Sequence, residues 1–267
     1  MELLPAKKTP KTLPEFYQCL EETVNELKKQ VPIKGVALSC PGAVDQKTGV
    51  IGGDSALPYI HGFDIRSELK KRFGLPVSIE NDANCAALAE MASGAGKKVK
   101  DAIFLVIGTG VGGALVVDKK LHHGAHLLGG EFGYLLLGQE MTVSQIVSPV
   151  SIAERYNAKT RQALSGKEVF AKAQTGDKIA SVEVDNALQT LALLIYNLQY
   201  SFDPELFIIG GAISKNPALI SMLEPKLAKL RQKVKAAKLE PKIAVCHYYE
   251  QANLLGAAIN FKKMMER

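Results

Sequence analysis

Between a β-branched run and an alanine-rich one, Glu80-Asn81-Asp82-Ala83-Asn84 sets two acids and two amides into five positions. An Asp where a buried strand ends can serve as general base toward a hydroxyl, and Asn side chains can hydrogen-bond neighbouring hydroxyls. Open α/β sheets hold their ligands off the carboxyl ends of strands, which is where Ile79-Glu80 would stop. A blander role exists, since Asn81 or Asp82 could simply cap the following helix. Capping needs one such residue, and four polar side chains stand here.

Gly108-Thr109-Gly110-Val111-Gly112-Gly113 matches G-x-G-x-x-G to the letter. In a dinucleotide fold these glycines open a helix whose N-terminus holds the pyrophosphate. Here Ala114-Leu115-Val116-Val117 and a turn at Asp118-Lys119-Lys120 follow, the second arm of a β-hairpin. An NAD(P)-dependent oxidoreductase therefore fails on context, and without a Gly-Lys-Ser/Thr so does a Walker loop. What remains is a hairpin tip where bare N–H groups and the Thr109 hydroxyl can close on a phosphate, or else a tight turn needing positive φ. Two further glycine pairs stand beside candidate ligands: Gly129-Gly130 ahead of Glu131, and Gly210-Gly211 after Ile208-Ile209. The first suggests backbone bent around a small polar ligand or a surface turn; the second lets a flat group such as a base lie against the chain.

The elements that must position these residues alternate. Leu13, Phe16, Leu20, Val24 and Leu27 predict an amphipathic helix over 13–30. Strands are expected at 35–39, 50–51, 77–80, 103–107, 114–117, 206–209 and 242–246, and helices at 64–73 (closed by Gly74), 83–92, 217–236 and 252–266. Helices dominate 145–200. Ser93–Lys98 is small and charged, like a hinge. The fold class is α/β, with lobes at 1–97 and 98–251 and the helix of 252–267 packing back on the first.

Composition narrows the function classes. The 267 residues carry 33 Lys+Arg and 27 Asp+Glu, a formal charge of +6, with 47% hydrophobic residues. The lysines lie in short scattered pairs, Trp is absent and aromatics make up 6%, which argues against a nucleic-acid platform. No apolar run approaches the roughly 20 residues of a membrane span, and the N-terminus lacks the pattern of a signal peptide. Four scattered cysteines (Cys19, Cys40, Cys85, Cys246) form no CxxC and fit a reducing cytoplasm. His61, His122, His123, His126 and His247 show no metal spacing, and His122-His123 reads as a loop feature.

Taken in order, these segments resemble the ROK family of sugar kinases, within the actin/hexokinase/Hsp70-type ATPase superfamily. Gly108–Gly113 is similar to that fold's second phosphate loop, and Leu206–Ala212 to its adenosine motif. Glu80–Asn84 resembles the sugar-and-base segment, Pro41-Gly42-Ala43-Val44-Asp45 with Gly49-Val50-Ile51 the entry to the sugar cleft, and Gly130-Glu131-Phe132-Gly133 the Gly-Glu-Φ-Gly sugar clamp. The resemblance implies two actin-like (ribonuclease H-like) lobes around a cleft, and ATP-dependent phosphorylation of a hexose or hexose derivative, glucokinase-like or β-glucoside kinase-like. It implies Asp82 as the base. Asn81, Glu80, Asn84, Glu131, Tyr134 and Gly42 would contact the sugar. Gly108, Thr109, Gly110, Gly112 and Gly113 would cradle phosphates with Mg²⁺, and Gly210 and Gly211 the nucleoside. A homodimer is implied too, although no sequence feature fixes it.

Three departures bear on these expectations. Tyr134 replaces the family's His after Gly-Glu-Φ-Gly, and no Cys lies between Cys85 and Cys246, so no structural zinc is expected. The family's opening hairpin with Asp-x-Gly-Gly-Thr has no counterpart before Leu13, and Met1–Pro5 reads as the tail of a strand. The N-terminal lobe is thus expected to lack its first two strands: either the start lies upstream or this form does not run the full reaction. The alternative function is a non-catalytic sugar-binding regulator of the same family.

Overall fold

The computed structural model describes residues 3–138 and 140–266. Residues 3–10 are irregular, with no strand where Leu3–Pro5 was expected to end one; Met1 and Glu2 of that expectation lie outside the described residues. The Thr12 side chain then accepts from the Glu15 amide and starts α1 (Leu13–Gln30), which has Glu15 in its first turn and Lys28 and Lys29 in its last, as the helix dipole favours. β1 (Val36–Cys40) leads into the short β2 (Ala43–Val44) and β3 (Ile51–Gly52). Asp64 caps α2 (Ile65–Phe73), and Gly74, at φ 60°, closes it in the left-handed conformation that glycine adopts most cheaply. β4 (Val77–Asn81) runs parallel to β1, with Val36 opposite Val77 and Cys40 opposite Asn81, and passes directly into α3 (Asp82–Ser93). Tyr17, Val24, Leu69, Phe73, Val77 and Ile79 form the core of this lobe.

The second lobe is built on a five-stranded sheet. Its strands are β5 (Ala102–Ile107), β6 (Val111–Val117), β7 (Lys120–Leu121), β8 (Leu206–Gly210) and β9 (Ile243–Val245), in the order β7-β6-β5-β8-β9. β5, β6 and β7 are antiparallel, whereas β8 and β9 run parallel to β5. A parallel return needs a long crossover, and the helical stretch supplies it as α4 (Val143–Val147), α5 (Pro149–Thr160), α6 (Gly166–Gln174) and α7 (Lys178–Phe202). Side chains alternate across β5: Ile103, Leu105 and Ile107 face α7, while Phe104 faces α3 together with Ala114 and Ile208. α8 (Leu219–Lys233) is shorter at both ends than the expected 217–236.

The closing helix, α9 (Ala252–Met265), packs on α3, β1 and β4 of the first lobe. Gly256 permits this, because a Cβ there would overlap the Cys85 carbonyl. The fold is thus α/β with two actin-like lobes. The segment read as a hinge proves to be a tied turn. Glu90, fully buried on α3, accepts from the amides of Ala95 (2.8 Å), His247 (2.8 Å) and Tyr248 (2.9 Å), so the two connections between lobes meet on one carboxylate.

Candidate functional site

The corner from β4 to α3 is held by side chains. Asn81 is the N-cap of α3: its Oδ1 accepts from the Asn84 amide (3.1 Å) while its Nδ2 donates to the Gly42 carbonyl (3.0 Å). Gly42 is needed there, with φ +93° and no room for a Cβ, which would lie 2.8 Å from the Gly52 carbonyl. Asp82 opens the helix, its Oδ1 accepting from the Ala83 amide at 2.8 Å. Its own amide also bonds the carboxylate, and no other side chain does so among the described residues. Asp82 presents ample area to water, yet the corner surrounds it on its other sides, and this burial pushes its carboxyl above the ordinary value.

Glu80 and Asn84, expected to contact the sugar, have their side chains engaged within the protein. Glu80 is fully buried and every oxygen is engaged. Oε1 accepts from the Asn81 amide (2.8 Å) and from Asn84 Nδ2 (3.0 Å); Oε2 takes His123 Nε2 (2.9 Å) and Gln46 Nε2. Asn84 is spent on Glu80 and is itself buried. Both residues frame the corner from behind. His123 lies on a loop, as read, but its ring reaches across to the first lobe and bonds Glu80. Sequence offered no local signal for that partnership. Cys40, at the end of β1, has its thiol pushed up to about 12 by burial and by the charges of Asp82 and Glu80, so it stands as a neutral wall.

Glu131 approaches from the second lobe. It precedes a single 3-10 turn, Phe132–Tyr134, and is half-buried with no side-chain hydrogen bond among the described residues. Burial first, and then the charge of Asp82, raise its carboxyl. Its flanking glycines serve packing. A Cβ on Gly130 (φ +104°) would lie 3.0 Å from the Ala114 Cα, and one on Gly129 would lie 2.9 Å from the His123 carbonyl carbon. The turn therefore lies flat on β6, with Glu131 half-buried at its start. Tyr134 is 63% exposed; its amide donates to the Glu131 carbonyl (3.3 Å), and its side chain has no hydrogen bond among the described residues.

The glycine run divides in two. Gly108-Thr109-Gly110 forms the hairpin tip, closed by the Gly108 amide on the Gly110 carbonyl (2.9 Å), whereas Gly112 and Gly113 already belong to β6, opposite Val106 and Leu105. None of the four uses positive φ. A Cβ on Gly108 would meet nothing within 4 Å, and one on Gly112 would touch only Ala83 Cβ, at 3.9 Å. That contact brings the hairpin to the residue after Asp82. Gly113 is different: its Cβ would lie 2.7–2.8 Å from Phe132 and from the carbonyls of Gly130 and Phe104, so its bareness is a packing need.

At the end of β8 the glycine pair again serves close approach. A Cβ on Gly210 would lie 2.8 Å from Phe104 Cζ, and one on Gly211 (φ +82°) 2.7 Å from the Ile107 backbone. Beyond them lies a cavity of about 500 Å³ lined by Pro149, Lys167, Phe170, Ile213, Asn216 and Pro217, among others. Its apolar walls with a few polar groups suit a flat heterocycle. Lys167 and Phe170, on α6, went unnoticed in the sequence because nothing near them marks a site. Among the described residues, no three His, Cys, Asp or Glu converge as metal ligands, and no helix is long and apolar enough to cross a membrane.

With this geometry in place, comparison with known proteins is informative. The sequence model of the ROK family matches residues 1–264. A beta-glucoside kinase of Listeria innocua is 33% identical over 256 residues, covering 91% of this chain and 84% of that protein. An N-acetyl-D-glucosamine kinase of Salmonella newport is 28% identical over 263 residues, covering 91% and 86%. Among solved structures, a ROK family protein from Streptococcus pneumoniae in complex with sucrose superimposes with a TM-score of 0.88 at 35% identity, covering 97% of this chain and 89% of that one.

Proposed function

The chain belongs to the ROK family, and from that premise we propose that it is a sugar kinase, transferring the γ-phosphoryl group of ATP to a hydroxyl of a hexose or hexose derivative. The observation that carries this proposal is the pair Asp82 and Glu131, both with raised carboxyls and the second within the field of the first, beside a glycine-lined hairpin tip. Relatives named as kinases of β-glucosides and N-acetylglucosamine support the substrate class.

Asp82 takes the proton of the attacking hydroxyl. Burial raises its carboxyl above the ordinary value, toward that of a stronger base. Glu131 and the second Nδ2 hydrogen of Asn81 hold neighbouring ring hydroxyls. The Gly108–Gly110 tip offers its surface to the phosphates, and the cavity beside Gly211 takes the base. Mg²⁺ would arrive with the nucleotide as part of the substrate and spread phosphate charge; among the described residues no three His, Cys, Asp or Glu cluster as ligands. Such transfers rest on positioning and electrostatics, and a closed cleft keeps water from consuming ATP. The proposed division places residues 1–97 with α9 on the Asp82 side and 98–251 on the Glu131 side.

The test is sugar-dependent ADP release by the purified protein with Mg·ATP and, in turn, glucose, N-acetylglucosamine and an aryl β-glucoside. Release with one of them is expected. Sugar binding by calorimetry without any release overturns the kinase in favour of a non-catalytic, sugar-binding regulator.

A further inference from the structure

Asp82 and Glu131 belong to different lobes, and something must hold them at a fixed separation. His123, on the loop after β7, touches the support of each. Its ring Nε2 lies 2.9 Å from Glu80 Oε2, and Glu80 stands two residues before Asp82. Its backbone carbonyl accepts from the Gly129 amide at 2.9 Å, and Gly129 stands two residues before Glu131. Neither contact is loose. Glu80 has no exposure, and Gly129 lies so close to the loop that a Cβ would sit 2.9–3.0 Å from the His123 carbonyl group.

Charge makes the ring contact more than a filler. The other partners of Glu80 are the Asn81 amide, Asn84 and Gln46, all neutral. A buried carboxylate needs a cation beside it, and among the described residues His123 is the basic side chain bonded to it. The bond to Glu80 outweighs burial and raises the imidazole pKa, as expected of an ion pair. Oε1 of the same carboxylate clamps the Asn81 amide, which fixes the first turn of α3. A displacement of the His123 loop therefore reaches Asp82 through one carboxylate and Glu131 through one peptide.

We propose that His123 is a positioning residue that keeps Asp82 and Glu131 in register across the cleft, its ring fixing Glu80 and its carbonyl fixing Gly129. The consequence for turnover rests on the sugar-kinase proposal; the mechanical link does not. Hydrogen exchange of the whole protein without ligand reads the link directly. In His123→Ala the Asn81 and Gly129 amides, bonded on opposite lobes, both exchange faster, each by about tenfold. His123→Gln, which keeps a donor near Glu80 without the charge, falls between the two. Faster exchange at only one of these amides, or at neither, overturns the proposal.

Kinetics read the positioning. His123→Ala lowers kcat about tenfold or more, with a smaller change in sugar KM, and His123→Gln restores part of the loss. An unchanged kcat in His123→Ala overturns the positioning role. If the unaltered protein phosphorylates no sugar, the kinase proposal falls instead, and the exchange experiment still decides the link.

Discussion

The β4–α3 corner and the β5–β6 hairpin meet at Ala83 and Gly112, yet they are made in opposite ways. The corner is fixed by side chains that satisfy one another: Glu80 alone engages Asn81, Asn84, Gln46 and His123. The hairpin tip is closed by backbone, Gly108 on Gly110, with the Ser144 hydroxyl accepting from the Val111 amide, and Gly108 keeps its surface clear. A group that must hold one oxygen in place for proton transfer needs a rigid, fully hydrogen-bonded mount. A surface that must admit phosphate oxygens needs backbone with nothing in front of it. The contrast teaches where polar side chains and glycines respectively do chemistry, and where each only builds the site.

The sharpest break in this contrast is at Asp82. Asp82→Asn should lower kcat about 10³-fold while sugar affinity by calorimetry stays near that of the unaltered protein; an active variant would remove Asp82 from its role. Next comes the mount itself. Glu80→Ala strands the Asn81 amide and leaves His123 without its counter-charge, and chemical denaturation should show a loss of about 3–5 kcal/mol. A loss below 1 kcal/mol would mean that the corner does not depend on this carboxylate. The hairpin separates into its two kinds of glycine. Gly113→Ala should cost about 1–3 kcal/mol of stability through overpacking against Phe132. Gly108→Ala should leave stability within about 0.5 kcal/mol and instead raise KM for ATP.

The smallest effect concerns pH. Burial holds the Asp82 carboxyl above its ordinary value of 3.8, so its contribution to stability is intact below that value and is lost as pH rises through the folded pKa. Asp82→Asn should melt at a slightly higher temperature than the unaltered protein at pH 7, and the gap should shrink as pH falls toward 3.8. An equal gap at both pH values would break this assignment.

Much of the architecture was legible because it is written locally. The spacing of Leu13, Phe16, Leu20 and Val24 marks α1, Asp64 and Gly74 mark both ends of α2, and the β-branched residues after Gly113 distinguish a hairpin from a nucleotide-binding helix. Asp82 stood out because four polar residues crowd one strand end. What stayed hidden depends on distant partners. Glu80 looks like a ligand contact until His123 and Gln46 arrive from elsewhere in the chain. Glu90 looks like an ordinary helix residue until the amides of His247 and Tyr248 reach it. Gly113 and Gly130 look like ligand cradles because sequence cannot tell a glycine cleared for a guest from one cleared for its own neighbour.

The placement of α9 has a consequence for how the molecule is made. Its Asn260 donates to the Ile79 carbonyl and accepts from Gln46, while Gly256 lies against α3. A ribosome delivers these residues only after the whole second lobe has emerged. Until then the first lobe waits with one face of β1, β4 and α3 uncovered, so the half synthesised first is the last to be sealed.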